Sequence, residues 1–250
     1  MKMLIKVGTV LLLMCITVDA VAQETDENVR MEYILCKLKD GFTFDDVIAN
    51  SKEYGEKVAA DGSMYNQYLM RPLIVGERLE GITHILAGVW PNGQEMYKEY
   101  GNYVNKHMDD DDDNPHTCRI AFATMDHIVV DATRENEPMD TRFPVQLADC
   151  NLKDGVSLEH AAAVQKEVAE ATIAEGMDGY GVHFQDPYLG FENPEYDFLS
   201  LVWWQSYEHR GNMAQNYYKI GSEYGQKMNA VASCKNSRAY FAELLFSTWE

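Results

Sequence analysis

The hexapeptide Cys36-Lys37-Leu38-Lys39-Asp40-Gly41 returns as Cys150-Asn151-Leu152-Lys153-Asp154-Gly155, an offset of 150 − 36 = 114 residues. Holding that offset without a gap pairs Gly62 with Gly176, Gly76 with Gly190, Trp90 with Trp204, and Asn102-Tyr103 with Asn216-Tyr217. The chain is a duplication, so whatever elements the first half builds the second must restate. The first copy spans 31–130 and the second 143–250, joined by a polar linker over 131–142.

The N-terminus carries Lys2 and Lys6, an apolar run Val10-Leu11-Leu12-Leu13-Met14, and the small-x-small pattern Ala20-Val21-Ala22. This is the layout of a secretory signal peptide over 1–22, with cleavage expected after Ala22 and export, periplasmic or secreted, as the consequence. Thr9, Thr17 and Asp19 break the run before the roughly 20 apolar residues a membrane span requires. No membrane insertion of the mature chain is expected. Residues 23–30 have little to bury and read as a disordered leader.

Cleavage would remove Cys15 and leave Cys36, Cys118, Cys150 and Cys234, an even set in an oxidising compartment. Three pairings are possible. Each copy holds one cysteine early and one late, so Cys36–Cys118 with Cys150–Cys234 is the symmetric solution. Metal ligation is the competing reading, but no Cys-x-x-Cys pair is present and no histidine stands at ligand spacing from a cysteine; no metal is expected. The formal charge of −19 argues against nucleic acid as a partner, because phosphate binding is driven by Lys and Arg. Surface acidity of this kind more often reflects solubility, or a salty habitat, than a cationic partner.

Met31–Leu38 alternates as a strand, with Tyr33 and Leu35 on one face and Ile34, Cys36 and Leu38 on the other. Thr43 with Asp46 forms a capping-box pattern, and Phe44, Val47, Ile48, Ser51, Tyr54 and Val58 recur at helical spacing. Asp61-Gly62 stops that helix, with glycine in the left-handed cap position. Tyr65–Val75 is a strand broken by Pro72, and Ile82–Trp90 is the most strand-like run of this half. Pro91-Asn92-Gly93 turns the chain into a second helix bearing Met96, Tyr97, Tyr100, Tyr103 and Val104. Asp109–Asp113 is an acidic loop without the spaced ligands and glycine of a calcium loop, and Cys118–Val130 is the fourth strand. In the second copy Ser157 caps the first helix, Glu175-Gly176 ends it, and Phe198–Trp204 restates the third strand. Beyond Cys234 the offset becomes 234 − 118 = 116, and Tyr240–Trp249 reads as strand, helix or both.

The order strand, helix, strand, strand, helix, strand resembles the ferredoxin-like βαββαβ unit, whose antiparallel sheet runs 4-1-3-2. Strands 1 and 4 are neighbours in such a sheet, which sets Cys36 beside Cys118 and Cys150 beside Cys234. Two units in one chain resemble the dimeric α/β-barrel superfamily in fused form. The resemblance implies an α+β fold in which two tandem ferredoxin-like repeats pair their sheets face to face as an intrachain barrel with helices outside. Some members of that superfamily bind haem through a histidine; no motif here singles one out, and no cofactor is expected.

On the third strands, His84, Leu86, Gly88 and Trp90 share a face, as do Phe198, Ser200, Val202 and Trp204. The opposite faces, Ile85-Ala87-Val89 and Leu199-Leu201-Trp203, look like plain packing surface. Trp90 and Trp204 are candidates to stack on an aromatic or apolar ligand, with Trp203 and His84 beside them, although a tryptophan at a strand end also fills core beneath a helix. The seven histidines form no His-x-His, His-x-x-x-His or His-Glu-x-x-His pattern. His183, His209, Tyr180 and Tyr207 are the acid–base candidates, and the richer second half is where the principal pocket is expected, with His183 or His209 and Trp204 lining one cavity. Two functions follow. One is binding of a small apolar or aromatic molecule with cofactor-independent oxygenase-like or isomerase-like activity, as in some barrel relatives. The alternative is a non-catalytic exported structural or interaction protein.

Overall fold

A computed structural model of the chain describes residues 29–76, 79–108, 114–191 and 194–249. The expected signal peptide, the leader up to residue 28 and the acidic run Asp109–Asp113 lie outside these residues. Among the described residues no helix is long and apolar enough to cross a membrane.

The first half runs β1 (Val29–Leu38), α1 (Phe44–Ala60), β2 (Asn66–Ile74), β3 (His84–Trp90), α2 (Gly93–Asn102) with a π-helical turn over Tyr103–His107, and β4 (His116–Asp131). The second runs β5 (Arg142–Leu152), α3 (Leu158–Ala174), β6 (Tyr180–Leu189), β7 (Phe198–Trp204), α4 (Tyr207–Asn216), α5 (Ser222–Val231) and β8 (Ala232–Ser247). Strand β1 starts at Val29, so Val29 and Arg30 belong to the sheet and not to the leader. The uncertain C-terminal stretch is strand up to Ser247, because it hydrogen-bonds on both sides, to β5 and to β2.

Local chemistry accounts for the helix boundaries. Thr43 and Asp46 form the reciprocal capping box at the start of α1, and the Ser157 hydroxyl accepts from the His160 amide at the start of α3. Gly62 and Gly176 follow the two helix ends at φ +66° and +74°, a region that costs an L side chain about 1 kcal/mol or more. Of the expected stripe on α2, Met96 is fully buried while Tyr97 and Val104 face outward; α2 is short and only one edge of it meets the sheet.

Eight strands close a barrel in the order β1-β3-β2-β8-β5-β7-β6-β4, every neighbouring pair antiparallel. Each half contributes a four-stranded segment, β4-β1-β3-β2 and β8-β5-β7-β6. The segments join edge to edge through β2–β8 and β4–β6, not by laying one sheet's face upon the other. That junction satisfies the backbone groups that four free sheet edges would leave exposed. Both disulfides are present, Cys36–Cys118 between β1 and β4 and Cys150–Cys234 between β5 and β8.

The strand faces divide the core into layers. Met31, Tyr33, Leu35, Met70, Ile85 and Ala87 of the first half meet Phe143, Val145, Leu147, Leu201, Tyr240 and Ala242 of the second inside the barrel. Outside it, α1 and α2 cover Val58, Tyr65, Trp90 and Met96, and α3 to α5 cover a matching layer around Val168, Met177 and Ile220. The face expected to be plain packing, Ile85-Ala87 and Leu201-Trp203, is the one that looks into the barrel.

The outer layer of the first half holds buried carboxylates. Burial raises Glu32 from 4.5 to about 7, against the hydrogen bonds from Tyr65 and Tyr100, and raises Glu99 in the same direction. Below about pH 4.5 the folded and unfolded chains both hold the Glu32 proton. Between that pH and about 7 the unfolded chain releases it while the folded one keeps it, so stability falls as pH rises, by about 3 kcal/mol from Glu32 alone. Denaturant unfolding at a series of pH values is expected to show this decline, and Glu32→Gln is expected to remove most of it; an unchanged slope in the variant would refute the assignment.

Candidate functional site

A cavity of about 320 Å³ opens at the end of the barrel where β1 and β5 begin and β3 and β7 end. Its wall is mostly apolar, with Met31, Met70, Ala87, Phe143, Val145 and Leu201 among the lining residues, and Trp249 also contributes. Both halves supply it. The pocket is therefore not a property of the second half, as the residue types had suggested, but of the closure of one half on the other. Its volume lies at the small end of the range for small-molecule sites.

Into this apolar space project a few polar groups joined in one chain of hydrogen bonds. His183 on β6 places Nδ1 2.6 Å from Asp126 Oδ2 on β4. The Trp203 indole N–H donates to His183 Nε2 at 3.1 Å. An indole nitrogen only donates, so His183 Nε2 is the acceptor and Nδ1 carries the proton given to Asp126. Asp126 Oδ1 accepts from the Gln185 side-chain amide at 2.9 Å, and Gln185 Oε1 accepts from the Tyr33 hydroxyl at 2.9 Å. Gln185 and Asp126 are both buried, and burial with the Asp126 charge pushes the Tyr33 hydroxyl up, which keeps it a donor. The ring of His183 is thus held in one tautomer and one orientation. Asn66 Oδ1, also at the cavity wall, is buried with no hydrogen-bond partner among the described residues.

The backbone explains the placement. Asp126 is the cross-strand partner of Gln185, and Ile128 that of His183, so the Asp126 and His183 side chains sit diagonally on the inward face of the β4–β6 junction. Gly181 lets the Trp203 ring lie against β6, since a Cβ there would come within 2.5 Å of the indole.

The other sequence candidates lie elsewhere. Trp204 is on the outer face of β7, buried in the layer under the helices, with the Arg210 guanidinium 4.6 Å from its ring centroid. Trp90 is fully buried on the corresponding outer face, stacked on Tyr65 at 4.7 Å. Both fill core beneath helices, and it is Trp203, on the face taken for packing, that reaches the cavity. His209 caps into α4, within 2.8 Å of the Ser206 hydroxyl and 3.0 Å of Glu137. Tyr180 hydrogen-bonds Thr172 beneath α3, and Tyr207 is exposed at the start of α4. Of the four acid–base candidates His183 alone lines the barrel cavity, and the requirement that Trp204 share it is not met. Asp126, Gln185 and Tyr33 were missed. The one available signal was a carboxylate at an alternate position of the mostly apolar run Phe122–Val130.

His84 is fully buried, bonded to the Thr83 hydroxyl at 2.9 Å and to His116 at 3.1 Å, and burial followed by the neighbouring His116 lowers it to about 4. His84, His116 and Cys36 bring ligand atoms within 4.8 Å of one another, a proximity across strands that sequence spacing does not reveal. The Cys36 sulfur is committed to the disulfide. Among the described residues His183 is the one histidine that lines the barrel cavity, and both its ring nitrogens are engaged.

The described residues thus form a closed antiparallel barrel wrapped by helices, with its cavity at one end. No protein-family model and no curated protein sequence matches the chain. Solved structures do resemble it. A monooxygenase candidate from Lactobacillus acidophilus NCFM aligns with a TM-score of 0.53 at 12% identity, over 88% of this chain and 95% of its own. One from Fusobacterium nucleatum subsp. nucleatum gives 0.52 at 14%, over 87% and 92%. A variant of chlorite dismutase from Candidatus Nitrospira defluvii gives 0.52 at 9%, over 88% and 93%. At such identities the likeness is one of fold.

Proposed function

We propose that the protein is an exported, duplicated ferredoxin-like barrel that binds a small apolar or aromatic molecule in its lumen and acts on it with His183 as general base. The observation that carries this reading is the His183–Asp126 pair in an otherwise apolar cavity. A buried carboxylate that fixes the imidazole tautomer also stabilises the imidazolium formed when Nε2 takes a proton. A ligand that lifts the Trp203 indole from Nε2 would expose that lone pair to its own acidic C–H or O–H. The proton passes to Nε2 and the electron pair remains on the conjugated ligand. Return of the proton to another carbon is isomerisation, and reaction of the anion with molecular oxygen is cofactor-independent oxygenation. The monooxygenase candidates of the same fold favour the second outcome, and the two disulfides fit an exported chain.

The test uses hydrogen exchange. Small aromatic ketones and phenols that raise the melting temperature of the protein are incubated with it in D₂O, and loss of their acidic protons is followed by NMR. His183→Ala is expected to slow the exchange by about 10²–10⁴-fold, and Asp126→Asn to slow it less, with binding retained in both. Exchange that is indifferent to His183 would sink the catalytic role. If no compound of this class binds, the alternative stands, a non-catalytic exported body for surface interactions.

A further inference from the structure

A second cavity, about 450 Å³, lies on the other side of the sheet, between the outer face of β1, β2 and β3 and the helices α1 and α2. Two carboxylates line it, Glu32 from β1 and Glu99 from α2, both buried. Glu32 accepts hydrogen bonds from the Tyr65 hydroxyl at 2.9 Å and the Tyr100 hydroxyl at 3.0 Å, and Glu99 accepts from the Tyr54 hydroxyl. A phenol offers a single proton, so these bonds leave further lone pairs on both carboxylates and bring no positive charge to them. The rings of Tyr54, Tyr65, Tyr100 and Tyr103 form the walls. Gln67 is buried, its amide N–H donates to the Tyr65 hydroxyl, and its Oε1 has no hydrogen-bond partner among the described residues. The site thus holds acceptors without enough donors.

The fold does not require this cluster, as the second copy shows at the same offset of 114. Glu32, Tyr54, Glu99 and Tyr100 correspond to Gln146, Val168, Met213 and Ala214, and Gln67, which faces Gly88 across the ladder as Val182 faces Val202, corresponds to Val182. There the space under the helices is packed by Val168, Met177 and Met213 as ordinary core. Gly88 belongs to the same construction: a Cβ there would fall 2.4 Å from the Tyr65 hydroxyl and 2.8 Å from Glu32 Oε1, and its counterpart is Val202.

We propose that the cavity between α1, α2 and the outer face of β1–β3 binds a small organic cation, an alkylammonium compound, through Glu32, Glu99, Gln67 Oε1 and the tyrosine rings. An ammonium group supplies the donors that these acceptors lack and the charge that offsets two buried carboxylates, and its alkyl substituents lie against aromatic faces that attract cations. The charged groups around the site are Glu53 and Lys57 of α1, which pair with each other at 3.4 Å on its rim, and His107, which bonds Asp61 and also acts electrostatically on Glu99. Because burial holds Glu32 at about 7, the cation competes with a proton there, and affinity rises with pH through that value.

The experiment is calorimetric titration of the full chain with n-butylammonium, tetramethylammonium and, as the neutral control, n-butanol, at about pH 5.5 and about pH 8. Saturable binding of at least one cation is expected, roughly tenfold or more tighter at the higher pH and absent for the alcohol, one decade being about 1.4 kcal/mol. Glu32→Gln and Glu99→Gln are each expected to weaken it by about tenfold or more while circular dichroism shows a folded chain. His183→Ala in the barrel cavity is expected to leave it unchanged, which keeps this proposal separate from the reading of that cavity. No saturable cation binding, equal binding of the alcohol, or indifference to both glutamine variants would overturn the proposal, as would binding of Ca²⁺ in the same pocket without any of the amines.

Discussion

Replacing Cys36 and Cys118 together by alanine is expected to lower the unfolding free energy by about 4 kcal/mol. The bridge spans 82 residues of chain, and the entropy of closing a loop of that length in the unfolded state is worth roughly that amount. The two cysteines are direct cross-strand partners on β1 and β4, so the native ladder survives their removal and the effect falls on the unfolded ensemble. The Cys150–Cys234 pair, spanning 84 residues at the equivalent position, is expected to give a loss of similar size. Urea unfolding of each double variant measures both, and peptide mapping of the unreduced protein checks the pairing itself. A Cys36–Cys150 or Cys118–Cys234 peptide, or a loss below about 1 kcal/mol in both variants, would contradict the account.

The second large effect separates two tryptophans at the ends of the third strands that lie on opposite faces of the sheet. Trp90 has no exposed surface, stacks on Tyr65 and meets Tyr100 edge-on at 5.4 Å between the sheet and α2. Trp90→Ala is expected to cost about 3–5 kcal/mol, the loss for a large aromatic removed from a packed core. Trp203 is only partly buried and borders the barrel cavity. Trp203→Phe retains most of its ring contact and is expected to cost about 1 kcal/mol, while it releases His183 Nε2 from its indole partner and changes ligand affinity. Denaturant midpoints of the two variants, with ligand-induced shifts in melting temperature, distinguish the roles. Equal stability losses, or a ligand response confined to Trp90→Ala, would mean that the inner and outer faces of the third strands have been exchanged.

Much of this architecture is legible in the residues alone. The ungapped offset from Cys36 to Cys150 reveals the duplication, the Thr43–Asp46 and Ser157 signals locate the helix starts, and the early and late cysteines of each copy select the two disulfides. These are local patterns, or local patterns copied once. They need no knowledge of which element meets which.

The candidate site is another matter. In a barrel wrapped by helices both faces of a strand are buried, so the alternation along Ile82–Trp90 separates two faces without saying which looks into the lumen. Ile85-Ala87-Val89 and His84-Leu86-Trp90 are equally compatible with either side until the halves close. His183 and Asp126 stand 57 residues apart on strands of different copies, and neither has a like residue at its repeat position. They meet because β4 of one half pairs with β6 of the other. That contact belongs to the junction between the repeats, where the register between two sheet edges sets the partners, and no periodicity within either repeat encodes it.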